Sequence, residues 1–184
     1  MDTCMTPEQA REKAEKLFQS GYNCSQSVIG ALCGELGADF DTTVRLAQPF
    51  GGGMGRMREV CGAVSGMFMA LGMASGSSDA SDKTAKDGEY ELVQQFAAQF
   101  RKKNGSIVCR ELLGLVPLGQ SERELKGKAS VPGTVPVSGI TDPVSSERTA
   151  EYYKKRPCRQ LCGDAAEIFQ SWYLAHRKTE EENK

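Results

Sequence analysis

The stretch from Phe50 to Ala70 constrains the fold of this chain more than any other. It opens on glycines at positions 51, 52, 53 and 55 and runs into a segment where Gly62, Gly66 and Ala70 recur every fourth residue. Residues four apart share one face of a helix, so this helix has a nearly bare side. A bare side lets a neighbouring backbone approach closely, which suits the central helix of a bundle. No segment alternates polar and apolar residues with the period of two that a half-buried strand needs. The pattern predicts an all-α fold.

Further helices follow from caps and stripes. Thr6, Pro7 and Gln9 read as N-cap, first helical residue and capping-box partner, with Ala10, Ala14, Leu17 and Phe18 as the apolar stripe and Gly21 as the stop. Asn23 caps a second helix with Cys24 in its first turn, and Val28, Ile29, Leu32, Cys33 and Leu36 carry it towards Gly37. A short helix is expected over 42–48, ended by Pro49. An amphipathic helix is expected over 89–103, stopped at Asn104-Gly105, then a turn or helix at Cys109. The last stripe is Cys158, Leu161, Cys162, Ala165, Ile168, Phe169 and Trp172. About six helices result, in a single domain over residues 1–184, a length that supports one sizeable core. Residues 115–150 hold four of the seven prolines with many Ser, Thr and Gly, and are expected to form a long irregular insertion. The polar tail, 176–184, is expected to fray.

Composition removes several function classes. A net charge of −1 provides no basic field for nucleic acid. The long run from Val60 to Asp79, uncharged up to that aspartate, is broken by Gly and Ser and reads as a buried helix, so no membrane span is expected. Residues 1–16 lack the apolar core of a secretory signal, which makes the cytoplasm the expected location. Oligomeric state and redox partner are not encoded in any pattern visible here.

The seven cysteines carry the chemistry. In a reducing compartment an odd number without tight pairing argues for metal binding or thiol redox work over a disulfide framework. Cys24, Cys61, Cys109 and Cys158 each fall at the start of a helical pattern, where the positive end of the helix favours a thiolate. Arg56 and Arg58 precede Cys61 and are expected to add to this. With Gly62 and Gly66 they are the candidate cofactor-binding residues. Cys162 lies one turn after Cys158 on the same face and is a possible fifth ligand. The two are poorly placed for a mutual disulfide, because a regular helix holds their Cα atoms near the limit of disulfide reach. Cys33 reads as core, and Cys4, ahead of the first cap, is assigned nothing. The methionines at 54, 57, 67, 69 and 73 read as core filler.

Other chemistries lack parts. The glycines match neither dinucleotide-binding nor P-loop spacing, and a tight turn into a crowded core is their expected role. With His176 the only histidine, a His-based metal site or Cys–His nucleophile is incomplete. There is no C-x-x-C-H, so no haem is expected, and no C-x-x-C of the thioredoxin kind. What remains is an all-thiolate site, which selects iron–sulfur clusters or zinc, or else a thiol–disulfide pair assembled by folding.

At these residues the chain resembles the redox-active family named for a spaced C…GCAxxG…C…C pattern. The matching pieces are Gly21 to Val28, Phe50 to Gly66, Gly105 to Gly114, and Cys158 ahead of Asp164 to Ile168. Here the glycine follows the cysteine, as Cys61-Gly62-Ala63-x-x-Gly66, whereas the family label writes it before. The resemblance implies a site built from Cys24, Cys61, Cys109 and Cys158. Those four are the expected metal ligands, or the catalytic residues if the chemistry is thiol redox. The leading expectation is iron–sulfur binding and electron transfer. The alternatives are a thiol–disulfide oxidoreductase and a Cys4 zinc scaffold without redox function.

Overall fold

The computed structural model describes residues 4–116 and 143–182, with side chains as far as 177. Helices α1 (Pro7–Gln19), α2 (Cys24–Leu32) and α3 (Phe40–Ala47) come first, followed by a 3-10 turn over Gln48–Phe50 and a glycine-rich turn, α4 (Gly51–Met54). Next are α5 (Gly62–Ser75), α6 (Lys83–Asn104) and a single turn, α7 (Cys109–Leu112). A short helix α8 (Ala150–Lys155) leads into the long α9 (Cys158–Glu182). Six of these have eight or more residues, as the stripes predicted, and among the described residues the only β-type pairing is a bridge between Val60 and Val108.

Local chemistry sets the boundaries. Thr6 caps α1 in a full capping box with Gln9, and Asn23 caps α2 in another with Gln26, satisfying otherwise orphaned N–H groups. Asp82 caps α6, which begins six residues before the expected 89, and Gly105 ends it at φ 87°. Residues 176–182, in the tail expected to fray, are helical and continue α9 to Glu182; no breaker follows His176, and Lys, Glu and Thr all tolerate helix. A short helix over 150–155, which the sequence pattern does not announce, begins where the expected irregular insertion ends and is started by Thr149, whose side chain accepts from the Tyr152 amide. Residues 117–142 of that stretch lie outside those described.

Helix α2 is at the centre, packed against α1, α3, α5 and α9. The bare side of α5 meets it: a Cβ on Gly62 would lie 3.0 Å from Cys24 Cβ, and one on Gly66 would lie 2.7 Å from the Ser25 carbonyl oxygen. Both are closer than side chains normally pack, so the small residues set the helix–helix distance. Phe18, Ile29, Leu32, Met67, Phe96, Phe100 and Phe169 fill the core. An ionic network ties the outer side of α1, α6 and α9. Buried Asp164 accepts from Arg11 and from Lys103 (3.0 Å), Glu167 accepts from the same two cations, and Glu15 pairs with Arg159 at 2.7 Å.

Candidate functional site

The four helix-start cysteines end up on one cavity. Cys24 opens α2, Cys61 is the N-cap of α5, Cys109 opens α7 and Cys158 opens α9. All four line a cavity of about 340 Å³. The positive ends of α2, α5 and α9 therefore converge on it. Every cysteine of the chain is a free thiol.

Two local devices bring the sulfurs together. The first is the pairing of 58–61 with 106–110. Cys61 N–H donates to the Ile107 carbonyl at 2.8 Å, Cys109 N–H to the Glu59 carbonyl at 2.6 Å, and Arg110 N–H to the Arg58 carbonyl at 3.1 Å. An Arg110–Glu59 ion pair at 2.7 Å reinforces the crossing.

The second is the glycine loop. Gly52, Gly53, Met54, Gly55 and Arg56 all have positive φ, between 58° and 72°, so the chain makes a left-handed turn. Glycine adopts this conformation without penalty, whereas Met54, Arg56 and Arg58 do so at a cost of roughly 1–2 kcal/mol each. The turn presses Gly53 so close to Cys109 that a Cβ would lie 2.6 Å from its Cβ. It also presents Gly51, Gly52, Gly55, Arg56 and Arg58 to the cavity. The expected tight turn is observed, with a handedness that composition alone does not reveal.

The structure divides the candidate cofactor-binding residues. Arg56 and Arg58 line the cavity; Gly62 and Gly66 do not, since their faces are taken up by α2. Arg58 is almost fully buried and serves a different cysteine from the one expected. Its guanidinium hydrogen-bonds Cys109. Arg56 reaches the Ser146 hydroxyl at 3.4 Å.

Reasoning from sequence missed Arg148 and Tyr152, which complete the wall together with Arg156. The Arg148 guanidinium sits 4.3 Å over the Phe18 ring and donates to the Phe18 and Tyr22 carbonyls at the end of α1. Arg156 lies 4.9 Å over the Tyr152 ring. The Arg148–Tyr152 spacing of four residues was the available signal, hidden at the edge of a Pro-rich stretch. No carboxylate among the described residues lines the cavity.

Burial governs the thiols. It pushes Cys61, Cys109 and Cys162 above the ordinary thiol value, and Arg58 offsets part of the effect at Cys109. Cys158 is raised by its hydrogen bond to Cys24 and then by burial. Cys24 accepts from Cys158, which lowers it, but a hydrogen bond with Cys162 together with burial leaves it well above normal. Cys162, fully buried behind Cys24, also donates to the Cys24 carbonyl at 3.6 Å. Cys33 is core, as expected, hydrogen-bonded to the Gly30 carbonyl. Cys4 contacts Arg177 at 2.7 Å. Among the described residues no three His, Cys, Asp or Glu side chains are arranged to hold a single metal ion. Nor is any helix long and apolar enough to cross a membrane.

An all-α bundle with four spaced cysteines gathered on one arginine-lined cavity defines a helical cysteine-site protein. The chain belongs to the family described as "Putative redox-active protein (C_GCAxxG_C_C)", whose model matches residues 22–172. No curated protein and no solved structure matches it significantly.

Proposed function

We propose that this protein is a cytoplasmic electron carrier whose Cys24, Cys61, Cys109 and Cys158 bind an iron–sulfur cluster. One observation carries the reading: four thiols from four separate segments line a single cavity at helix N-termini. The donor set fits. Four thiolates are a complete ligand set for such a cluster, and arginines and helix ends offset the negative charge that the ligands acquire. Zinc is the alternative occupant of four thiolates; a cluster would spread the same ligands over several irons. When bound, it would supply one-electron chemistry. The protein's part is to hold the thiolates, exclude bulk water through burial, and set the local charge with Arg58 and its neighbours.

The test is anaerobic purification followed by iron, zinc and acid-labile sulfide analysis. Iron and sulfide are expected in stoichiometric amounts, and are lost when Cys61 or Cys109 is replaced by Ser. A protein that contains neither, or contains stoichiometric zinc and shows no redox response, overturns the proposal.

The contact of Cys24 with Cys158 favours a second reading, a thiol–disulfide oxidoreductase. It is the weaker one, because the cavity thiols are raised, not depressed, and a protonated thiol is a poor nucleophile.

A further inference from the structure

Cys162 does not line the cavity, yet it belongs to the site. Cys24 hydrogen-bonds two sulfurs of α9 at once, Cys158 on the cavity side and Cys162 on the core side. The last two sit one helical turn apart, which puts them on the same face but at the limit of direct pairing. Each instead reaches across to α2. The result is a row of three thiols, Cys158, Cys24 and Cys162, leading from the cavity wall into the core. Its inner member is 0% exposed.

We propose that these three cysteines form a thiol relay, with Cys24 able to form a disulfide with either partner and Cys162 storing the oxidised state in the core. The relay operates when the thiols carry no metal, so it stands apart from the cluster reading. The oxidant is a small disulfide such as oxidised glutathione, which enters the cavity. The minor thiolate form of Cys158 attacks it, slowly because the thiol is raised, forming a mixed disulfide and expelling one small thiolate, which takes up the proton lost by Cys158. Cys24, losing its proton, then attacks the Cys158 sulfur and expels the second small thiol. In sum, two protein thiols are oxidised, and two electrons and two protons pass to the small disulfide. Cys162 next attacks Cys24: the Cys24–Cys162 bond forms, the Cys24–Cys158 bond breaks, and the proton of Cys162 moves to Cys158. No electrons are exchanged in that last step. It returns a free thiol to the cavity and withdraws Cys24, so a chain oxidised in this way lacks a complete ligand set.

Burial makes the idea testable. Cys162 cannot meet a small disulfide directly, so its oxidation must pass through Cys24. The full chain, freed of metal by chelation under reductant, is exposed to oxidised glutathione, quenched with an alkylating agent and mapped with trypsin under non-reducing conditions. Cleavage after Arg159 separates Cys158 from Cys162, and fragmentation distinguishes Cys24 from Cys33. The wild type is expected to give a Cys24–Cys162 cross-link. Cys24→Ser is expected to leave Cys162 fully alkylated, and Cys162→Ala to stop at Cys24–Cys158. Circular dichroism checks that each variant is folded, with Cys24→Ala as the substitute if Cys24→Ser is not. The relay is overturned if the wild type never joins Cys24 to Cys162. It is equally overturned if Cys162 is oxidised without Cys24, or if Cys24 stays reduced in the Cys162→Ala protein. Because the metal is removed first, failure here leaves the iron and sulfide analysis untouched, and the reverse also holds.

Discussion

Two regions meet on α9, and they treat polar groups in opposite ways. At Asp164 and Glu167 the helix carries carboxylates facing Arg11 and Lys103, and charge is matched within the network. One turn and a half earlier, at Cys158, the helix opens on a cavity lined by four arginines and no described carboxylate, with thiols kept neutral by burial. The first arrangement balances its own charge, and its removal costs stability. The second sets buried thiols beside cations, where a thiolate would be stabilised if one formed. The contrast separates groups that hold the bundle together from groups that the bundle holds in readiness.

Replacing Cys61 with Ser should have the largest functional effect: bound iron and sulfide disappear while the far-ultraviolet circular dichroism is unchanged. Asp164→Ala should do the reverse. It leaves two cations facing one carboxylate and should cost about 3 kcal/mol, read as a lower urea midpoint, with the thiol chemistry retained. If it emptied the site as well, the two regions would not be separable. Gly66→Ala tests the structural link between them. Its new Cβ would lie 2.7 Å from the Ser25 carbonyl oxygen, a backbone atom that cannot swing away, and about 2 kcal/mol should be lost.

Arg58→Met should affect only the cavity. Cys109 loses the cation that opposes its upward shift, so the pH profile of its alkylation should move higher, and Arg58→Lys should restore part of the difference. The smallest effect belongs to the ionic network in acid. Glu167 is held below its ordinary value of 4.5 by hydrogen bonds from Arg11 and Lys103. Its contribution is therefore full above that value and is lost as pH falls through the depressed one. Urea midpoints should drop from about pH 4.5 downward, and less so in Glu167→Gln.

Much of this was legible from residues alone. Caps at Thr6 and Asn23, the stop at Gly105 and the bare side of α5 are local signals, and each is present where the pattern put it. The four helix-start positions were legible for the same reason. What could not be read was set by the tertiary fold. Arg58 was assigned to Cys61, three residues away, but the left-handed turn and the crossing with 106–110 carry it to Cys109. Gly62 and Gly66 were also candidate cofactor-binding residues, yet helix packing takes up both. Arg148 was invisible because nothing near it in sequence reveals that Phe18 lies beneath it. Helix α8 was passed over because six residues are too few to show a stripe.

The contact between α2 and α9 has a consequence for biosynthesis. Cys24 and Cys162, 138 positions apart, touch where α2 meets α9, so the cavity beside them cannot close until Cys162 has left the ribosome. Domains fold as units while translation proceeds at about 5–20 residues per second, so for some seconds the early cysteines stand without their late partners. On the proposed reading, loading of the site would wait for α9, and a chain terminated before Cys158 would lack one of the four thiols.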